Sequence, residues 1–140
     1  MPLHGSSELD RFYLQWIADS SDRILVRHQI MITSITRFQL PRGIPTEAVE
    51  KGFLEVAPKF KHPSGLLRKY FLISEDGKTG GGVYLWNSME EARTFSEGVL
   101  RKMIRDKFQV EPSIEYYEAP VVVDNVTSEI IAQGGHPKDA

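Results

Sequence analysis

The spacing of apolar and polar residues changes period several times along this chain. Between Ser6 and Asp22, Leu9, Phe12, Tyr13, Trp16 and Ile17 recur at i, i+3, i+4, i+7 and i+8. That is one face of an amphipathic helix. Ser7 with Asp10 resembles a capping box at its start, and Ser20, Ser21 and Asp22 end it. A helix this short needs a surface to dock on, so residues 1–23 are read as an N-terminal helical extension. From Ile24 to Phe38 the period falls to two, and the run IMITSITRF is rich in β-branched residues. Its faces are Ile30, Ile32, Ser34, Thr36, Phe38 and Met31, Thr33, Ile35, Arg37. LPRGIP breaks the strand. Thr46 is the expected cap of a helix running to about Ala57, with Val49, Phe53, Val56 and Phe60 as its apolar stripe. Pro58 disfavours helical geometry at Ala57 and stops or kinks the helix.

GLLRKYFLIS predicts a second strand, with Leu66, Arg68, Tyr70 and Leu72 alternating against Leu67, Lys69, Phe71 and Ile73. EDGKTG, centred on Asp76-Gly77, predicts a hairpin connection to a third strand, GGVYLWN. Ser88 and Glu91 form a capping box. Met89, Ala92, Phe95, Val99 and Met103 form the stripe of the following helix, whose last turns are basic. SIEYYEAPVVVDNV is the last strand region, with Pro120 as a bend or edge. The tail from 127 is Gly-rich and polar and is expected to be loose. The order β-α-β-β-α-β over 24–126 predicts an α+β, ferredoxin-like domain: a four-stranded antiparallel sheet with two helices on one face. The other sheet face is left bare and carries aliphatic and aromatic residues whichever parity holds. Such a face calls for a partner, and two sheets packed face to face would make a dimeric barrel.

Composition narrows the chemistry. The chain has 140 residues, a net charge of -2 and no cysteine. Its length suits one domain. The balanced charge gives no argument for nucleic acid as the main partner. The missing thiols remove disulfides, thiolate nucleophiles and Cys-based zinc sites. No apolar run approaches a membrane span, and MPLHGSSELD lacks the features of a signal peptide; a cytoplasmic protein is expected. Gly77-Lys78-Thr79 fails as a phosphate loop, since Leu72 stands where a glycine is needed and a strand follows. Gly80, Gly81 and Gly82 fit a bulge or close backbone approach, and would also open space for a ligand. His4, His28, His62 and His136 are scattered without metal-ligand spacing.

The aromatic residues carry more. Tyr70, Phe71, Tyr84, Trp86, Tyr116 and Tyr117 fall on predicted strands, with Arg37, Arg68 and Lys69 among them. Such rings either pack as core with polar tips at the surface or line a pocket for a small organic ligand. Tyr, Trp and Arg can orient a phenolate or enolate and stabilise its charge.

Gly65-Leu66-Leu67-Arg68-Lys69-Tyr70, Gly81-Gly82-Val83-Tyr84-Leu85-Trp86 and Met89-Glu90-Glu91-Ala92 resemble, in order and spacing, the YdhR-like monooxygenase family. The likeness covers about residues 30 to 123. It implies a homodimeric α/β-barrel related to the antibiotic-biosynthesis monooxygenases. It also implies oxidation of a small aromatic or polyketide-like substrate between sheet and helices, without metal, flavin or other cofactor. Within that reading Arg68, Tyr70, Tyr84 and Trp86 are expected to bind substrate. Arg37 or Arg68 would stabilise an oxyanion, and His62 or Tyr116 would accept the proton. The scaffold also admits a lyase, cyclase or isomerase. The Phe12, Tyr13, Trp16 stripe admits a non-catalytic interaction module.

Overall fold

A computed structural model describes residues 23–27 and 30–133. The expected N-terminal helix, along with His4, His28 and His136, lies outside the described residues. The chain forms two compact units.

The larger unit contains β2 (Met31–Gln39), α1 (Thr46–Val56), β3 (Leu66–Ile73), β4 (Thr79–Trp86), α2 (Met89–Phe95), α3 (Arg101–Phe108) and β5 (Ser113–Ala119). β1 (Arg23–Arg27), β6 (Val121–Asp124) and β7 (Glu129–Gln133) belong to the smaller one. The larger unit is the expected βαββαβ domain. Its sheet runs in the order β3-β4-β2-β5, and every neighbouring pair is antiparallel.

Burial settles which face meets the helices. Ile32, Ser34, Thr36 and Phe38 of β2 are buried, as are Tyr84 and Trp86 of β4. They form the core with Val49 and Phe60 below α1, and with Ala92, Leu100 and Ile104 from the second helical run. Arg37, Tyr70, Leu72 and Tyr117 are exposed on the opposite side.

Local chemistry accounts for most boundaries. α1 gives way at Ala57 to a 3-10 turn, Ala57–Lys61, with Pro58 in its first residues, where the missing N–H breaks an α-helix. The residue before the helix is Pro45; Thr46 is its first residue and makes no capping bond. Pro45 is the N-cap in extended backbone, φ −66° and ψ 144°, a conformation that proline's fixed φ allows. The Asp76-Gly77 hairpin closes as expected. Asp76 Oδ1 accepts from Ser74 Oγ at 2.7 Å and from the Lys78 N–H at 3.0 Å. Gly77 takes φ +73°, which strains any residue with a side chain. Ser88 caps α2, its Oγ accepting from the Glu91 N–H at 3.1 Å. The Glu91 carboxylate accepts in turn from the hydroxyls of Ser88 and Ser64.

Two stretches differ from expectation. Between α2 and α3 the helix widens into a π-turn, Ser96–Leu100. The wider turn puts Leu100 and Ile104 into the core and leaves Val99 half exposed. The last strand region divides at Pro120, which has no N–H to carry a ladder across. Beyond it, 129–133 is β7 rather than loose tail, parallel to β1 and antiparallel to β6. Alternation of Ile130 and Ala132, both buried, with Glu129, Ile131 and Gln133 gives this segment its strand period.

Candidate functional site

A pocket opens between the helix-facing side of the sheet and the helices that cover it. Thr36 and Phe38 of β2, Lys69 and Phe71 of β3, and Gly81 and Tyr84 of β4 form its floor. Phe53 and Val56 of α1, Phe60, and Leu100, Met103 and Ile104 form its walls. Its cavity volume is about 40 Å³, and it opens to solvent on one side. The lining is apolar apart from two lysines and two hydroxyls.

The glycines of β4 create this space. A Cβ on Gly82 would stand 3.1 Å from Lys69 Cε, from the Tyr70 carbonyl oxygen and from Tyr84 Cε1. A Cβ on Gly81 would run into the Thr36 carbonyl oxygen. Close backbone approach, rather than a bulge, is therefore the reason for the triple glycine. The irregularity in pairing lies on β3, between Leu66 and Arg68.

Lys69 is the distinctive group. Its Nζ sits 3.4 Å from the centroid of the Phe60 ring, 3.8 Å from that of Phe71 and 4.6 Å from that of Tyr84. The ring faces attract the ammonium, but loss of water disfavours the charged form more strongly. Burial lowers the Lys69 pKa from 10.5 to about 7. Lys69 thus exchanges a proton near neutrality. Burial also pushes the Tyr84 hydroxyl upward, slightly offset by the neighbouring Thr36 hydroxyl, so Tyr84 stays protonated. Thr36 Oγ1 is buried with no hydrogen bond of acceptable geometry. A buried hydroxyl left open beside a pocket is a ready contact for a ligand.

The seven residues singled out from the sequence do not form one cluster. Tyr84 lines the pocket. Trp86 lies on the same face but is sealed in the core; its Nε1–H donates to Ser34 Oγ at 2.9 Å and its ring stacks on Tyr84. Arg68 and Tyr70 are exposed on the opposite face, where Arg68 Nη1 donates to the Tyr70 hydroxyl at 3.4 Å. Arg37 is on that face too, in an ion pair with Glu115 at 2.8 Å. His62 is exposed at the end of the 3-10 turn. Tyr116 faces the helices away from the pocket lining. Its hydroxyl donates to Glu97 Oε2 at 2.9 Å, Arg93 lies over its ring, and burial raises its pKa. Sequence reasoning passed over Lys69 and took its neighbour Arg68. Among the described residues no group of three or more His, Asp or Glu could hold a metal ion. None of their helices is long and apolar enough to cross a membrane.

The fold places the domain among the ferredoxin-like α+β proteins, and comparisons narrow this to a family. The model of the family described as "Putative mono-oxygenase ydhR" matches residues 35–124. The chain belongs to that family. Among solved structures, a protein of unknown function from Nitrosomonas europaea superposes with a TM-score of 0.52 at 18% identity, covering 66% of this chain and 91% of that one. A "putative antibiotic biosynthesis monooxygenase" from Bordetella bronchiseptica gives 0.52 at 20% identity, covering 65% and 98%. SnoaB, a cofactor-independent oxygenase from Streptomyces nogalater, gives 0.51 at 17% identity, covering 68% and 98%. At these identities the likeness is one of fold. No curated protein sequence matches the chain.

Proposed function

We propose that this protein is a homodimeric, cofactor-independent monooxygenase that oxidises a small, electron-rich aromatic or polyketide-like molecule in the pocket above β4. The observation that carries the reading is Lys69, an amine titrating at about 7 inside a cage of three aromatic rings. A base with a pKa near the working pH is the efficient one. Neutral Lys69 takes the proton of a phenol or enol. The resulting ammonium holds the anion, while Tyr84 and Thr36 offer hydroxyls to it. The anion then reduces molecular oxygen. In an anthrone-like substrate a ring CH2 becomes C=O: one oxygen atom replaces two hydrogens, and the other leaves as water. This assigns proton transfer to Lys69 in place of His62 or Tyr116, and anion stabilisation to Lys69 in place of Arg37 or Arg68.

The test is oxygen uptake with an anthrone. Uptake should match substrate lost, mole for mole. The rate should rise with pH as Lys69 loses its proton and level off above about pH 7. Lys69→Met should lower kcat by roughly 100-fold or more. Unchanged turnover in that variant would remove Lys69 from the mechanism, and turnover without oxygen would move the protein to the lyases or cyclases.

A further inference from the structure

Two cations and no carboxylate line the pocket. Lys69 is enclosed; Lys107, at the C-terminal end of α3, is exposed at the mouth. The other cations of that helix are engaged: Arg101 with Glu97 and Glu111, Arg105 with Glu111, and Lys102 with Asp106. Lys107 has no such partner among the described residues. It lies across Gly52 of α1, where an added Cβ would meet its Nζ at 3.7 Å. A second hollow shares Gly52, Phe53, Lys107 and Phe108 with the pocket. It adds Lys51 and Glu55, whose charges oppose each other, so Lys107 sets the sign at the entrance. A positive group at the rim of an apolar slot concentrates anions there, since low-dielectric walls focus its field.

We propose that the substrate is an aromatic acid, with its ring body in the pocket, a phenol or enol oxygen at Lys69, and a carboxylate at the mouth on Lys107. This inference rests on the pocket being the substrate site and adds the class of molecule it takes. Both ends of the slot then meet a cation, and the ring between them meets Phe53, Phe60 and Phe71. An exposed pairing at Lys107 is modest in strength and sensitive to salt. It selects among aromatic compounds rather than supplying most of the affinity.

A matched pair of probes tests it: 6-hydroxy-2-naphthoate and 2-naphthol, with binding followed by calorimetry on the full chain. The wild type should bind the naphthoate about fivefold more tightly than the naphthol at low salt. Lys107→Gln should erase that difference and leave 2-naphthol unchanged, and added salt should do the same. Equal binding of the two probes by the wild type, or a preference that survives Lys107→Gln, would overturn the carboxylate assignment while leaving the proposed oxidation standing. Lys69→Met distinguishes the two readings, because it should weaken both probes and stop turnover yet keep the preference for the naphthoate. Failure of both probes to bind the wild type would overturn both.

Discussion

Lys69 places an amine where water is excluded, and that has a thermodynamic signature. Its folded pKa of about 7 lies below the ordinary lysine value of 10.5. Below pH 7 both folded and unfolded chains carry the proton, and the folded state bears the full desolvation penalty. Between 7 and 10.5 the unfolded chain holds the proton and the folded chain does not, so stability rises with pH. Above 10.5 the penalty is gone. The slope is at most about 1.4 kcal/mol per pH unit. Lys69→Met should therefore stabilise the domain at pH 6.5, and the gain should fade toward pH 10, as read by urea denaturation at both values. A gain equal at the two pH values would mean that the amine is solvated. Trp86 makes a contrasting case. Trp86→Phe would strand the buried Ser34 hydroxyl and leave a void. That should cost about 2–4 kcal/mol while naphthol binding holds. Both assignments turn on strand parity, which the sequence leaves open on β3. One alternating set offers Leu66, Arg68, Tyr70 and Leu72, the other Leu67, Lys69, Phe71 and Ile73. Each has one basic residue and three apolar ones, so hydrophobicity prefers neither. On β4, Tyr84 and Trp86 share a face, but nothing local says that one borders a cavity and the other seals a core.

At the scale of elements, the sequence was most informative where local chemistry decides. The hairpin at Asp76-Gly77, the Ser88 cap, the stop before Pro58 and the β2 alternation are each written in a few adjacent residues. The π-turn is not. A stripe of Met89, Ala92, Phe95, Val99 and Met103 is a sound α-helical reading, yet one wide turn trades Val99 for Leu100. That turn also brings Leu100, Met103 and Ile104 over the pocket, in keeping with the frequency of such turns at functional sites. β7 was hidden because its partners, β1 and β6, are short and distant or interrupted by Pro120. The glycines of these elements give a paired prediction. Gly81→Ala would force β4 away from the Thr36 carbonyl of β2; it should lose several kcal/mol or fail to fold. Gly98→Ala, in the π-turn, meets nothing within 4 Å. It should gain about 0.5–1 kcal/mol from the lower chain entropy of alanine. Thermal melts of the two variants beside the wild type check both signs, and a well-folded Gly81→Ala protein would refute the close-approach account of β4.

At the scale of the whole molecule, the described residues give the sheet one face under helices and leave the other without them. The second face holds Ile35, Val83 and Leu85 in its middle, with Tyr70, Leu72 and Tyr117 around them at 52%, 39% and 49% exposure. Arg37 and Glu115 form an ion pair beside this patch. An apolar surface of this kind on one protomer is best met by its own copy, since a two-fold axis sets each patch against an identical one. The proposed homodimer buries it. Sedimentation should then give a species of twice 15.9 kDa. Leu72→Glu combined with Tyr117→Glu should divide it, because two carboxylates per protomer would lose water without a partner. The pocket lies on the other face of the sheet, so each separated protomer should still bind 2-naphthol, with a loss confined to whatever rigidity the partner lends the floor. Division of the dimer with binding retained supports one site per subunit. Division with binding abolished would mean that the second copy completes the site. A wild-type protein that sediments as a monomer at micromolar concentration would refute the barrel, and would leave the exposed tyrosines and Leu72 for another partner.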